Sequence, residues 1–243
     1  MLTKGRIDFK GVVFDFDNTL VDTKTTISDA YRAVFSNIAK KFNIDKEKLI
    51  SEADSFQQEK IRELAGFKVS YNHADWIHLI AEKNLIKLNE EEKEYYKQMF
   101  YSYVLNNQKF SSETGGLLKE LKEAGKKLAI LSERDLVSGL KAERINKVPF
   151  HRYFDFVVIA GETIPFSKVR DGIKPFVETA RLLGLNTKDI VMIGDRLDLD
   201  IQNAKESGMK AVLFTGYTKS NEISKYEPDF VIKNLSDFKN LIL

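Results

Sequence analysis

The segment Val12-Val13-Phe14-Asp15-Phe16-Asp17-Asn18-Thr19-Leu20 is a short apolar run that ends abruptly in two carboxylates. Its first three residues are β-branched or aromatic, the side chains that fit a pleated, buried strand. Comparable runs occur at residues 128–131, 156–159, 190–193, 211–214 and 230–232. They are apolar throughout rather than alternating, as expected for a parallel sheet buried on both faces. Helical stretches are predicted between them at 116–125, 136–146, 175–183 and 199–207. Gly125, Gly184 and Gly208 stand where a helix C-terminus favours glycine. The alternation predicts an α/β fold with a doubly wound, parallel-sheet, Rossmann-like core.

Residues 23–112 break that rhythm. Ile27, Ala30, Tyr31, Val34, Ile38 and Phe42 recur at helical spacing. So do Tyr96, Met99, Phe100 and Tyr103, and Trp76, Ile77, Ile80 and Ala81 form a third stripe. Such a length of helix is far more than one strand-to-strand crossover needs. The expected organisation is a catalytic core of residues 1–22 and 113–243, with an inserted all-helical cap domain at 23–112 over the end of the first strand.

Composition narrows the function classes. The chain has 243 residues, 43% of them hydrophobic and 30% charged, enough for a substantial core. Its 38 basic and 36 acidic residues nearly cancel, which argues against a nucleic-acid-binding protein. There is no cysteine, so disulfides, thiolate catalysis and cysteine zinc sites are excluded. The three histidines, His73, His78 and His151, are too scattered to form a metal cluster. Met1–Arg6 leads into an apolar run broken by Asp15 and Asp17, unlike a signal peptide. No apolar stretch approaches the ~20 residues of a membrane span. A cytoplasmic location is expected, with no membrane partner.

In an open α/β sheet, ligands bind beyond the carboxyl ends of the strands. The polar residues found there are Asp15, Asp17 and Thr19 after the first strand and Ser132 with Glu133 after the second. Lys174 stands before the helix-starting Pro175, and Gly194, Asp195 and Asp200 follow the strand at 190–193. Each has a structural reading. Ser132 could cap a turn, Lys174 could sit in solvent, and Asp200 could complement a helix dipole. Together, and in this order, they would converge on one edge of one sheet.

The order resembles that of the haloacid dehalogenase superfamily, in particular its phosphatase branch with a helical cap, as in phosphoglycolate phosphatase-like members. Asp15-Phe16-Asp17-Asn18-Thr19 is similar to the first motif and Ser132 to the second. Lys174-Pro175 is similar to the third, and Gly194-Asp195 with Asp200 to the fourth. The resemblance implies a Mg²⁺-dependent phosphatase in which Asp15 attacks phosphorus and becomes an aspartyl phosphate. It implies a Mg²⁺ site made by Asp15, the backbone carbonyl of Asp17 and Asp195, with Asp200 orienting Lys174 or metal-bound water. Lys174 and Ser132 would hold the phosphoryl oxygens, with Thr19 and the Glu133 backbone N–H alongside. Asp17 would act as the acid and base. Dehalogenases and phosphonatases lack a carboxylate there, so Asp17 favours phosphate esters.

Glu133 and Arg134 depart from the small or amide residues many relatives carry after the second motif. In the helical insertion Lys60, Arg62, His73 and Trp76 have binding chemistry, but each also has a structural reading. The expected ligand is a small phosphorylated metabolite whose identity is open, as is monomer versus homodimer. The competing functions are a phosphomutase-type phosphoryl transferase, a haloacid dehalogenase, a receiver-type signalling domain and a non-catalytic binding protein on the same fold.

Overall fold

A computed structural model describes residues 8–63, 72–218 and 224–241. Six strands form one parallel sheet: β1 (Gly11–Phe14), β2 (Lys127–Glu133), β3 (Phe156–Ala160), β4 (Ile190–Gly194), β5 (Lys210–Phe214) and β6 (Phe230–Ile232). Their order across the sheet is β3-β2-β1-β4-β5-β6, and every pairing is parallel. The chain leaves β1 towards β2 and β3, then returns to the other side of β1 for β4. The topological switch therefore lies at β1, where open α/β sheets bind ligands.

The apolar runs form strands buried on both faces because their side chains alternate between two cores. Val12, Phe14, Leu128, Ile130, Val191 and Ile193 enter one cluster. Val13, Ala129, Leu131, Ile190 and Met192 enter the other, against Phe176, Ala180 and Leu183. Register then fixes the site: Phe14 is level with both Ile130 and Ile193. Asp15, Ser132 and Asp195 accordingly emerge at one edge of three adjacent strands.

The chain divides into two compact units, residues 1–22 with 110–243, and residues 23–109. The second consists of α1 (Thr23–Phe42), α2 (Lys46–Glu63), α3 (His73–Lys83) and α4 (Glu90–Asn106), with no strand among its described residues. The predicted stripes meet there, with Tyr31, Val34, Ile38, Trp76, Ile77, Ile80, Tyr96 and Phe100 in one buried cluster. His73 belongs to this packing, its Nδ1 lying 3.0 Å from the Tyr31 hydroxyl. Lys60 pairs with Glu63 at 2.6 Å. The Arg62 side chain lies outside the described residues.

The first unit carries α5 (Thr114–Glu123), α6 (Leu140–Lys147), α7 (Lys174–Leu183) and α8 (Gln202–Glu206). Two helix starts differ from expectation by more than two residues. The helix predicted from 136 starts at Leu140, because Gly139 adopts φ 79°, a left-handed conformation that interrupts the helical path. The helix predicted from 199 begins instead with a π-helical turn, Leu197–Ile201, which runs into α8. No helix among the described residues is long and apolar enough to cross a membrane.

Phe176 is fully buried where α7 meets the sheet. Phe176→Ala should cost about 3–5 kcal/mol, read as a lower denaturant midpoint at unchanged m-value in far-UV circular dichroism.

Candidate active site

Asp15 follows β1 and is held there by backbone, its N–H donating to the Ile193 carbonyl at 2.9 Å. The chain then turns sharply. The Phe16 carbonyl accepts N–H bonds from Leu20 at 3.0 Å and Val21 at 3.1 Å, and Asn18 takes φ 55°. Asparagine tolerates that left-handed region better than most residues. The turn sends the Asp15 and Asp17 side chains to different partners.

Asp15 meets a buried lysine. Lys168 Nζ lies 2.7 Å from Asp15 Oδ1 and 2.6 Å from Asp200 Oδ1, and it donates to the Leu131 carbonyl at 3.3 Å. Carboxylate oxygens of Asp15, Asp195 and Asp200 lie within 4.8 Å of one another. Burial pushes the Asp15 carboxyl up to about 7, against the pull of Lys168 and helped by Asp200 and Asp17. Asp195 is raised too, first by burial and then by Asp200 and Asp15. Burial works against the charge of Lys168, but Asp15 and Asp200 outweigh it and hold the ammonium above its ordinary value.

Neighbouring segments fix this group. The π-helical turn carries Asp200, whose carboxylate accepts the Arg196 N–H at 3.1 Å. A Cβ on Gly194 would fall 2.4 Å from the Asp200 carboxylate, so the close approach requires glycine. Asp195 accepts a bond from the Thr218 hydroxyl at 2.8 Å. The Glu133 carboxylate accepts from Ser167 Oγ at 2.8 Å and from the Lys168 N–H at 2.7 Å. Ser132 is buried at the end of β2, and Thr19 is buried with no hydrogen-bond partner for its Oγ1 among the described residues.

One expected residue is elsewhere. Lys174 opens α7 with its side chain 60% exposed, pairs with Asp171 at 3.6 Å and lies over the Phe166 ring. It does not hold Asp15; Lys168 does. Pro175 favours a helix start, and the first helical residue here faces water, so the Lys-Pro pair marks a boundary and not the buried ammonium. Asp200 accordingly orients Lys168, where Lys174 was expected. The Glu133 side chain is committed to the segment bearing Lys168.

Asp17 points into a second cluster. Its carboxylate pairs with Lys141 Nζ and with Arg144 Nη2, the latter at 2.6 Å. Asp135 shares both cations, at 3.0 Å from Lys141 and 3.1 Å from Arg144. Burial opposes the Arg144 charge, but Asp17 and Asp135 raise its affinity for the proton overall. The Asp17 carboxylate is thus directed to cations, apart from the three-carboxylate group.

The model of the haloacid dehalogenase-like hydrolases matches residues 9–208. The chain belongs to that family. It is 27% identical to the glyceraldehyde 3-phosphate phosphatase of Methanocaldococcus jannaschii, over 96% of each chain. It is 26% identical to human N-acylneuraminate-9-phosphatase, covering 84% of this chain and 82% of that one. The fold is shared with the haloacid dehalogenase-like hydrolase YfnB of Bacillus subtilis, solved with magnesium, at a TM-score of 0.75 and 15% identity over 97% and 99% of the two chains.

For this haloacid dehalogenase-like hydrolase, the three converging carboxylates fit a small, hard divalent cation. Their donors are all oxygen, and once ionised they leave two negative charges beyond what Lys168 neutralises. Without metal the folded chain keeps a proton on Asp15 that the unfolded chain, at the ordinary 3.8, has released. The folded state therefore binds the extra proton between 3.8 and about 7, and this group's contribution to stability falls as pH rises through that window. A cation takes only the ionised form. The rise in Tm on adding Mg²⁺ should be small at about pH 5 and clearly larger at about pH 8, as measured by thermal melts with Mg²⁺ and with chelator.

Proposed function

We propose that this hydrolase is a Mg²⁺-dependent phosphatase of a small phosphorylated metabolite, with Asp15 as nucleophile. The observation that carries the reading is Asp15 itself: buried at the switch point of the sheet, paired with Lys168 and facing Asp195 and Asp200. The phosphatase names of the sequence relatives support the substrate class. Phosphate monoesters are anionic, so a carboxylate can reach phosphorus only where positive charge offsets both partners. Asp15, Asp195 and Asp200 would hold Mg²⁺, which would supply that charge as a Lewis acid.

Lys168 orients the Asp15 carboxylate and balances charge on the phosphoryl oxygens, with the Ser132 hydroxyl and the Thr19 hydroxyl as further donors. An Asp15 oxygen bonds to phosphorus as the ester P–O bond breaks, giving an aspartyl phosphate and a departing alkoxide. Asp17, in its protonated form, gives that alkoxide a proton. It then takes one from the water that attacks the phosphoenzyme, releasing phosphate and restoring Asp15. Asp17 also sets phosphate-ester hydrolysis above carbon–halogen cleavage, since a departing halide needs no proton. The helical insertion, expected at 23–112, would act as the cap that selects among substrates.

Asp15→Asn and Lys168→Ala should each lower kcat/KM on 4-nitrophenyl phosphate by at least ~10²-fold, whereas Lys174→Ala should stay within about twofold of wild type. A loss at Lys174→Ala with Lys168→Ala spared would return the role to Lys174. Asp17→Asn should slow alkyl phosphates at least ~10-fold more than aryl phosphates, whose leaving groups need less protonation. A steady-state comparison of the two substrate types checks this. Equal losses would remove Asp17 from the acid role.

A further inference from the structure

We infer that Lys141, Arg144 and Asp135 form a clamp that aims the Asp17 carboxylate, making the three residues positioning groups for the acid–base step. The inference rests on the assignment of Asp17 given above. Lys141 and Arg144 stand three positions apart on α6, so both cations leave the same helix face. Their side chains are only 2% and 3% exposed, too enclosed to be surface charges or to greet a ligand from solvent. Both also lie over the Phe16 ring, at 5.8 and 5.4 Å, so the residue between the two catalytic carboxylates floors the cluster.

Position follows from this enclosure. Lys141 takes Oδ2 of Asp17 and Arg144 takes Oδ1, which fixes the plane of the carboxylate as well as its direction. The cations themselves are held by α6, whose first turn is set by Gly139, and the Gly139 N–H donates to Glu162 at 3.2 Å. Two buried cations balanced only by Asp17 would tie it permanently, because its departure would leave both uncompensated. Asp135 removes that obstacle. It already pairs with each cation, so Asp17 can turn one oxygen to a leaving group while neither cation loses every partner. The four residues carry two charges of each sign, and the cluster holds Asp17 firmly without trapping it.

A double-mutant cycle tests the clamp. Asp17→Asn, Lys141→Met and the double variant are compared on 4-nitrophenyl phosphate and on phenyl phosphate, the poorer leaving group, with thermal melts confirming folding. Lys141→Met should lower kcat/KM on phenyl phosphate by about tenfold, with a smaller loss on 4-nitrophenyl phosphate, because kcat/KM reports the step in which the leaving group departs. In the Asp17→Asn background the same substitution should change kcat/KM by less than about twofold, because its effect passes through Asp17. Arg144→Lys, which keeps the charge, should recover most of the activity that Arg144→Met loses. Equal losses on both substrates, or a full loss persisting without the Asp17 carboxylate, would overturn the clamp. Should Lys141→Met fail to fold, the Arg144→Lys and Arg144→Met pair gives the same comparison. If Asp17→Asn itself shows no leaving-group selectivity, the acid–base assignment falls and the clamp with it. If Asp17→Asn is selective and Lys141→Met is not, the clamp alone falls.

Discussion

Everything at the sheet edge depends on one buried ammonium, that of Lys168 between Asp15 and Asp200. An unpaired charge could not remain at that depth, and a pair of buried carboxylates would repel without it. Its position is therefore over-determined. Glu133 binds the backbone N–H of Lys168 and the neighbouring Ser167 hydroxyl, Asn203 reaches the Lys168 carbonyl at 3.4 Å, and Leu131 accepts from the ammonium itself. These contacts draw together β2, the segment before α7 and the start of α8, elements that the parallel order of the sheet brings to one edge. The glycine at 194 exists for the same group, since no side chain fits between β4 and Asp200.

The two carboxylates of the first motif show how far environment separates chemically identical groups. Asp15 and Asp17 are two residues apart, yet the turn around Phe16 gives the first a neighbourhood dominated by other carboxylates and the second a neighbourhood of two cations. Divergent surroundings are how one site assigns different tasks to like residues. The chain leaves the strand at this point, in a turn closed by the Phe16 carbonyl, so the alternation of a regular strand no longer governs the two side chains.

Much of this was legible in the residues themselves. The six apolar runs became the six strands because a sheet buried on both faces admits little else, and Asp15, Ser132 and Asp195 lie where their strands end. Gly125, Gly184 and Gly208 all take positive φ at helix ends. What stayed hidden was anything settled by side-chain direction across long sequence separations. The Lys-Pro pair at 174–175 carries a local helix-start signal, whereas Lys168 is distinguished only by tertiary burial; its apolar neighbours Phe166 and Val169 were the sole local hint. The link from Asp17 to Lys141 and Arg144 depends on where α6 packs, and α6 starts later than its periodicity indicates because Gly139 interrupts the chain. Thr218, the partner of Asp195, stands after a strand with no motif around it.

The helical unit is interrupted by nothing from the core, and its first and last helices, α1 and α4, pack against one another. Its entry and exit are therefore brought together by its own hydrophobic cluster, distinct from the two that line the sheet. Topologically this is a cassette with one entry and one exit. Lineages could lengthen, shorten or replace residues 23–109 without disturbing the register of β1 with β2, so the reactive edge can stay fixed while the inserted unit drifts.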